Sequence, residues 1–213
     1  MPCPLLSIAY LPPVEYFAFL AGGSVSVEAC ERYMKQTYRN RATIVAGNGV
    51  RDLIIPTVHD VKMGAVREVR IDYSTPWQRT HWRTIESAYN SSPFFLYYKD
   101  FLKPLYAESI EFLFDFDLKL IEIIAKMLKI GVSITMTSEF TPYSERDLRT
   151  VISPKARRGQ NYLLRLGEPY YQVFSDKFGF VPNLSIIDLL FNVGPESAGY
   201  LLRLNKQLNG TLS

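Results

Sequence analysis

Hydrophobic and polar positions change period several times along the chain, and each change marks an element. Ser7-Ile8-Ala9-Tyr10-Leu11 has almost no wet face, as a short buried strand does. Residues 14–21 stay largely apolar over a helical length, and Val25-Ser26-Val27-Glu28-Ala29 reads as the next strand. Thirteen residues separate Leu11 from Val25, close to the minimum of about a dozen that a parallel crossover needs. The opening is therefore predicted to be a parallel β-α-β unit. Ligands of open α/β sheets sit at the carboxyl ends of strands, which singles out residues 12–16 and 31–41 as two sides of one crevice.

Residues 42–58 carry two β-rich runs around Ala46-Gly47-Asn48-Gly49, whose glycines and asparagine supply the positive φ angles of a hairpin turn. Val69, Ile71 and Tyr73 alternate with Glu68, Arg70 and Asp72, the pattern of a strand with one wet face. Thr75-Pro76-Trp77-Gln78 reads as a capping box opening a helix that runs to about Tyr89, before Ser91-Ser92-Pro93. A longer helix is predicted over residues 104–129. Glu108, Glu111, Asp115 and Asp117 lie early in it, Lys126 and Lys129 late, and Gly131 is its C-cap. Val132, Ile134 and Met136 alternate with Ser133, Thr135 and Thr137 as another strand for the first sheet. Residues 141–167 are irregular, with a short helix at 145–152. Ser185-Ile186-Ile187-Asp188 repeats the capping-box pattern, and Gly194-Pro195-Glu196 opens a last helix ending near Leu208. The fold class is α/β: a mixed parallel and antiparallel sheet, an N-terminal β-α-β unit, a β-hairpin and a helical C-terminal half. No repeat or low-complexity linker divides the chain, so residues 1–213 read as one domain.

Composition narrows the function. A chain of 213 residues with 47% hydrophobic and 21% charged content suits one globular domain. Its 24 basic and 21 acidic residues leave a formal charge of +3, too little for the counterion-release attraction behind nucleic-acid binding. Any positive site is local, and the expected partner is a small molecule. Cys3 and Cys30 form no CxxC pair and have no metal-ligand spacing, which argues against a disulfide framework and a zinc site and for a reduced, cytoplasmic setting. The N-terminus lacks the basic start of a signal peptide. No stretch approaches the ~20 apolar residues of a membrane span, so no membrane insertion is expected. The GxSxG, GxxxxGK[ST] and GxGxxG templates are absent, and no cofactor is implied.

Candidate chemistry is densest in Lys35-Gln36-Thr37-Tyr38-Arg39-Asn40-Arg41, where three cations, two amides and a phenol gather without an apolar period. Guanidinium groups grip phosphate or carboxylate bidentately and lysine adds a point charge, so Lys35, Arg39 and Arg41 suit a nucleotide sugar or another phosphorylated ligand. The alternative is a solvated loop whose arginines pair with acids elsewhere. Tyr10, Glu15 and Tyr16 flank the Pro12-Pro13 turn and would line the same crevice. Glu15 is either a base or hydroxyl acceptor there, or complements the helix dipole. Of the two histidines, His81 shares a helical stripe with Trp77, Ile85 and Ala88, as a packed residue does, whereas His59 ends a strand in a polar loop and is the better catalytic candidate. Trp82, Glu86 and Tyr89 form a neighbouring stripe that would present aromatic surface to a sugar. A rival use of Trp82, Tyr89, Phe94, Phe95, Tyr97 and Tyr98 is docking, in a homo-oligomer or onto a pathway partner.

Tyr10-Leu11-Pro12-Pro13-Val14-Glu15-Tyr16-Phe17, Tyr38-Arg39-Asn40-Arg41, Ile71-Asp72-Tyr73, the run from Trp77 to Arg83, Ser91-Ser92-Pro93-Phe94-Phe95 and the run from Pro182 to Phe191 together resemble the WbqC-like family. The resemblance spans nearly the whole chain through the order and spacing of these blocks. Many relatives carry Gln-Pro or His-Gln-Pro before the tyrosine-leucine-proline turn, where this chain has Ser7-Ile8-Ala9. That difference removes a polar group from the crevice. The resemblance implies a role in bacterial surface-polysaccharide (O-antigen) biosynthesis, as a transferase or transferase component placing an amino-acid or acyl group on an amino sugar, or as a non-catalytic scaffold of the same pathway.

Overall fold

The computed structural model describes residues 3–58, 64–154 and 167–212. In chain order the elements are β1 (Leu5–Ser7), α1 (Val14–Ala21), β2 (Ser24–Glu28), β3 (Arg41–Ala46), β4 (Gly49–Ile54), α2 (Trp77–Tyr89), α3 (Phe95–Leu102), α4 (Leu113–Met127), β5 (Ser133–Met136), α5 (Ser175–Phe178), α6 (Ile186–Val193) and α7 (Ser197–Leu212). The order β1-β2-β5 makes a parallel sheet, and β3-β4 a separate antiparallel hairpin. The mixed α/β class, the β-α-β opening, the hairpin and the helical C-terminal half are all present. Among the described residues no helix is long and apolar enough to cross a membrane.

Every residue of α1 from Val14 to Leu20 is buried, as the near-absence of polar positions requires. The helix packs between α7, α6 and β2. Its N-cap, Pro13, makes no side-chain cap, so its first amides need tertiary partners. Val14 N–H donates to the Leu184 carbonyl at 3.0 Å and Glu15 N–H to Asn183 Oδ1 at 3.0 Å. Just before it, Leu11 holds a φ of +38°, a left-handed conformation that disfavours a branched side chain. Neighbours fix it there: Tyr10 N–H donates to Tyr38 O, Ser185 Oγ to Leu11 O, and Ile186 N–H to Pro12 O, each at 2.8 Å.

Several boundaries differ from the sequence expectation. The first strand is Leu5–Ser7, and residues 8–11 already belong to the buried turn. The predicted strand around Val69 is a 3₁₀ turn at Val66–Glu68 followed by single bridges, in which Arg70 meets Phe112 and Ile71 meets Thr57. The same pairing breaks the helix predicted over 104–129. Ile71 N–H donates to Glu111 O and Leu113 N–H to Val69 O, both at 2.9 Å, so the chain is extended at Phe112 and α4 starts at Leu113. Upstream lie α3 and a 3₁₀ turn at Lys103–Ala107. Leu128, in place of Gly131, caps α4, while Lys129 takes the positive φ of 55°. Residues 145–152 form turns without a helix. Neither capping box caps: Gln78 donates to Glu108 O, and Ser185 to the Leu11 turn.

Candidate functional site

A crevice of about 450 Å³ opens at the carboxyl end of β1, in the size range of small-molecule sites. Ser7, Ile8 and Ala9 form one wall, Met34, Thr37, Tyr38 and Arg39 a second, and Tyr16 a third. Residues 148–153 close it, placed by a backbone pair in which Leu5 N–H donates to Arg146 O and Leu148 N–H to Leu5 O, each at 2.9 Å.

Both arginines among the described residues of the crevice, Arg39 and Arg149, are committed to acids. Glu31 grips Arg39 bidentately, at 3.0 Å from Nε and 2.6 Å from an Nη, and the pair is almost wholly buried. The remaining Arg39 donors reach Thr37 Oγ1 at 3.1 Å and Ser7 Oγ at 2.8 Å. Arg149 pairs with Asp147 at 2.5 Å and lies 3.6 Å from Glu28. Burial pushes the Glu28 carboxyl up, but hydrogen bonds from Thr137 and from the Thr141 and Cys30 amides, with the Arg149 charge, outweigh it and hold the group below its ordinary range. Among the described residues, two guanidinium charges against three carboxylates leave no free cation on these walls. The crevice is apolar with hydroxyl edges, and its arginines act as struts.

Of the predicted residues, Tyr16, Tyr38 and Arg39 come together in this crevice. Tyr16 donates its hydroxyl to the Ser7 carbonyl at 3.1 Å. Lys35 and Gln36 are exposed on the same loop, Gln36 with a φ of 60°. Asn40 turns inward and donates to Ile55 O at 2.9 Å, and Arg41 begins β3 and pairs with Asp52 at 3.2 Å. Glu15 is buried beside a separate small recess with Tyr170, Asn183 and Tyr200. Trp82 is packed against Phe95 and Tyr106, which removes its ring from the surface, and Glu86 is half-buried. Tyr10 is fully buried. His59 lies outside the described residues. Among those residues, no three His, Cys, Asp or Glu side chains gather as a metal site requires, and both cysteines are free.

A polar cluster lies inside the core, its His81 reaching the wall of a second recess between the β3-β4 hairpin and α2. The Tyr10 hydroxyl sits 2.7 Å from that of Tyr106 and 3.0 Å from His81 Nδ1. Burial pushes the His81 imidazole down to about 4, the Ile54 carbonyl offsetting this in part. Asp117 is fully buried on α4 with neither carboxylate oxygen hydrogen-bonded, and burial alone pushes it well above the usual carboxylate range. Its charge in turn raises Tyr10, Tyr16 and Tyr106, after the larger effect of their own burial. The sequence carries a signal for this residue: Asp117 falls on the apolar stripe of Leu113, Leu120, Ile121 and Ile124. The 148–153 wall carries none, because its order comes from pairing with β1.

A family model described as the WbqC-like protein family matches residues 9–167 and 160–200. The chain is also similar to "Uncharacterized protein Rv1507c" of Mycobacterium tuberculosis, with 29% identity over 197 residues, covering 80% of this chain and 84% of that protein. No solved structure gives a significant match. Since the matched segments cover most of the chain and take in α1, β2, the crevice loop and α6, this chain belongs to the WbqC-like protein family.

Proposed function

We propose that this protein is a cytoplasmic transferase, or a component of one, that places an amino-acid or acyl group on an activated amino sugar for surface-polysaccharide synthesis. The observation that carries this reading is the 450 Å³ crevice with hydroxyl edges and internally neutralised arginines. A neutral, partly apolar group of modest size suits those walls, because the guanidinium charges among the described residues are already matched. Tyr16, Thr37 and Ser7 supply polar contacts to the transferred group. Proton transfer falls to His59 in this reading, Glu15 lying in its own recess.

Ligand screening by thermal shift tests it. A ligand present at a hundred times its Kd raises stability by about 2.7 kcal/mol. An acyl or aminoacyl donor is expected to raise the melting temperature, and Met34→Trp, at an exposed position on the crevice wall, is expected to abolish the rise with little change in the unliganded protein. No response from any donor, or a response that Met34→Trp leaves intact, would rule the reading out.

One observation favours the non-catalytic alternative. On α3, Leu96, Tyr97 and Phe101 are exposed, an apolar face suited to a homo-oligomer or a pathway partner. Light scattering that shows a monomer at all concentrations would remove the homo-oligomeric form of that alternative.

A further inference from the structure

A second, larger recess has chemistry complementary to the first. It is a groove of about 800 Å³ between the β3-β4 hairpin and α2. From α2 it receives Thr80, Arg83, Thr84 and Ser87, which share one face at helical spacing. From the hairpin it receives Arg51 and Asp52.

Charge separates this groove from the crevice. Neither Arg51 nor Arg83 forms an ion pair with an acid among the described residues, and Arg51 Nε donates only to Asn48 Oδ1 at 3.0 Å. The one carboxylate among the groove's described residues, Asp52, is matched by Arg41 at 3.2 Å and accepts from Thr43 at 2.8 Å. Two exposed guanidinium groups thus face the groove with their charge uncompensated, which is the arrangement that grips a phosphoryl group.

The hydroxyls add a second requirement. Thr80 Oγ1 donates to Pro76 O at 3.2 Å and Thr84 Oγ1 to Thr80 O at 2.8 Å. With each hydroxyl proton directed at a helix carbonyl, each oxygen offers its lone pairs to a donor in the groove. Acceptors repel bare phosphate and welcome hydroxyl donors. A ligand satisfying both halves carries an anionic group for the arginines and hydroxyls for the threonines.

We propose that this groove is a binding site for a sugar phosphate, with Arg51 and Arg83 on the phosphoryl group and Thr80 and Thr84 accepting from sugar hydroxyls. It uses none of the crevice residues, so it stands or falls separately from the reading above.

Calorimetric titration of the full chain with glucose 1-phosphate, inorganic phosphate and glucose tests it. Glucose 1-phosphate is expected to bind more tightly than either of the others. Arg51→Ala/Arg83→Ala, at exposed positions, is expected to weaken it by at least about tenfold with an unchanged circular-dichroism melt, as loss of charge-assisted hydrogen bonds predicts. Thr84→Val keeps the branched shape and removes the acceptor. It is expected to weaken glucose 1-phosphate by about three- to tenfold and leave inorganic phosphate unaffected. The proposal is overturned if glucose 1-phosphate shows no saturable binding or the double arginine variant binds it normally. Inorganic phosphate binding as tightly as the sugar phosphate would equally overturn it.

Discussion

Arg39 shows how a charge visible in the sequence becomes unavailable in the fold. Its guanidinium is shared between Glu31, Thr37 and Ser7, all within 3.1 Å. Removing the acid strands a buried cation, which costs about 3–5 kcal/mol. Glu31→Gln is therefore expected to lower the unfolding free energy by that amount in urea titrations, and a loss under about 1 kcal/mol would contradict the strut role. His81 gives a second residue-level test. Its imidazole stays neutral in the fold to about pH 4, whereas an unfolded one takes a proton near 6.5. The unfolded chain binds more protons between those values, so this contribution is complete above pH 6.5 and is lost as pH falls towards 4, by about 3 kcal/mol. Asp188, pushed up to about 6 chiefly by burial, has the opposite sign, losing stability as pH rises through that value, and Asp117 shares that direction. The clean measurement is thus the stability of wild type minus that of His81→Asn. The difference should fall as pH drops from 7 to 4, and a flat difference would refute the buried neutral imidazole.

At the scale of elements, the junction of α6 and α7 depends on one backbone shape. Gly194 has a φ of 61°, and a Cβ there would lie 2.5 Å from the ring of Phe94. The ring sits beside a backbone anchor, Phe94 N–H donating to Phe191 O at 2.9 Å, so it has little room to withdraw. Strain and overpacking together put the cost of Gly194→Ala at about 2–4 kcal/mol. Gly131→Ala, where an added Cβ meets nothing within 4 Å, is the control and should stay within about 0.5 kcal/mol. Denaturant midpoints of the two variants that coincide would show that the junction is not constrained. The helix starts make a related point. Pro13, Pro76 and Ser185 stand at N-caps without a side-chain cap, because a proline ring has no group to offer and the Ser185 hydroxyl is claimed by Leu11 O.

For the whole molecule, the sheet and the two recesses separate what is local from what is not. The spans of α1 and α2 and the hairpin turn were determined by the sequence alone, since an apolar run of helical length, a period of 3.6 and a glycine-asparagine turn act within a few residues. The parallel crossover was legible with its first strand placed too late, Leu5–Ser7 being the residues that pair. The place of the crevice was half legible. The carboxyl-end rule points to the loop with Tyr38 and Arg39, and these do line it beside Tyr16. The wall from Leu148 to Ser153 was not legible, because it depends on pairing with Leu5 across more than a hundred residues. The same holds for the break before α4, made by residues 69–71 meeting 111–113. Tertiary structure also decided which cations are free: Arg39 and Arg41 are neutralised by Glu31 and Asp52, while Arg51 and Arg83 face an open groove. Periodicity records which side of an element is apolar. It holds no record of which distant carboxylate will reach which guanidinium, and that pairing decides where an anion can bind.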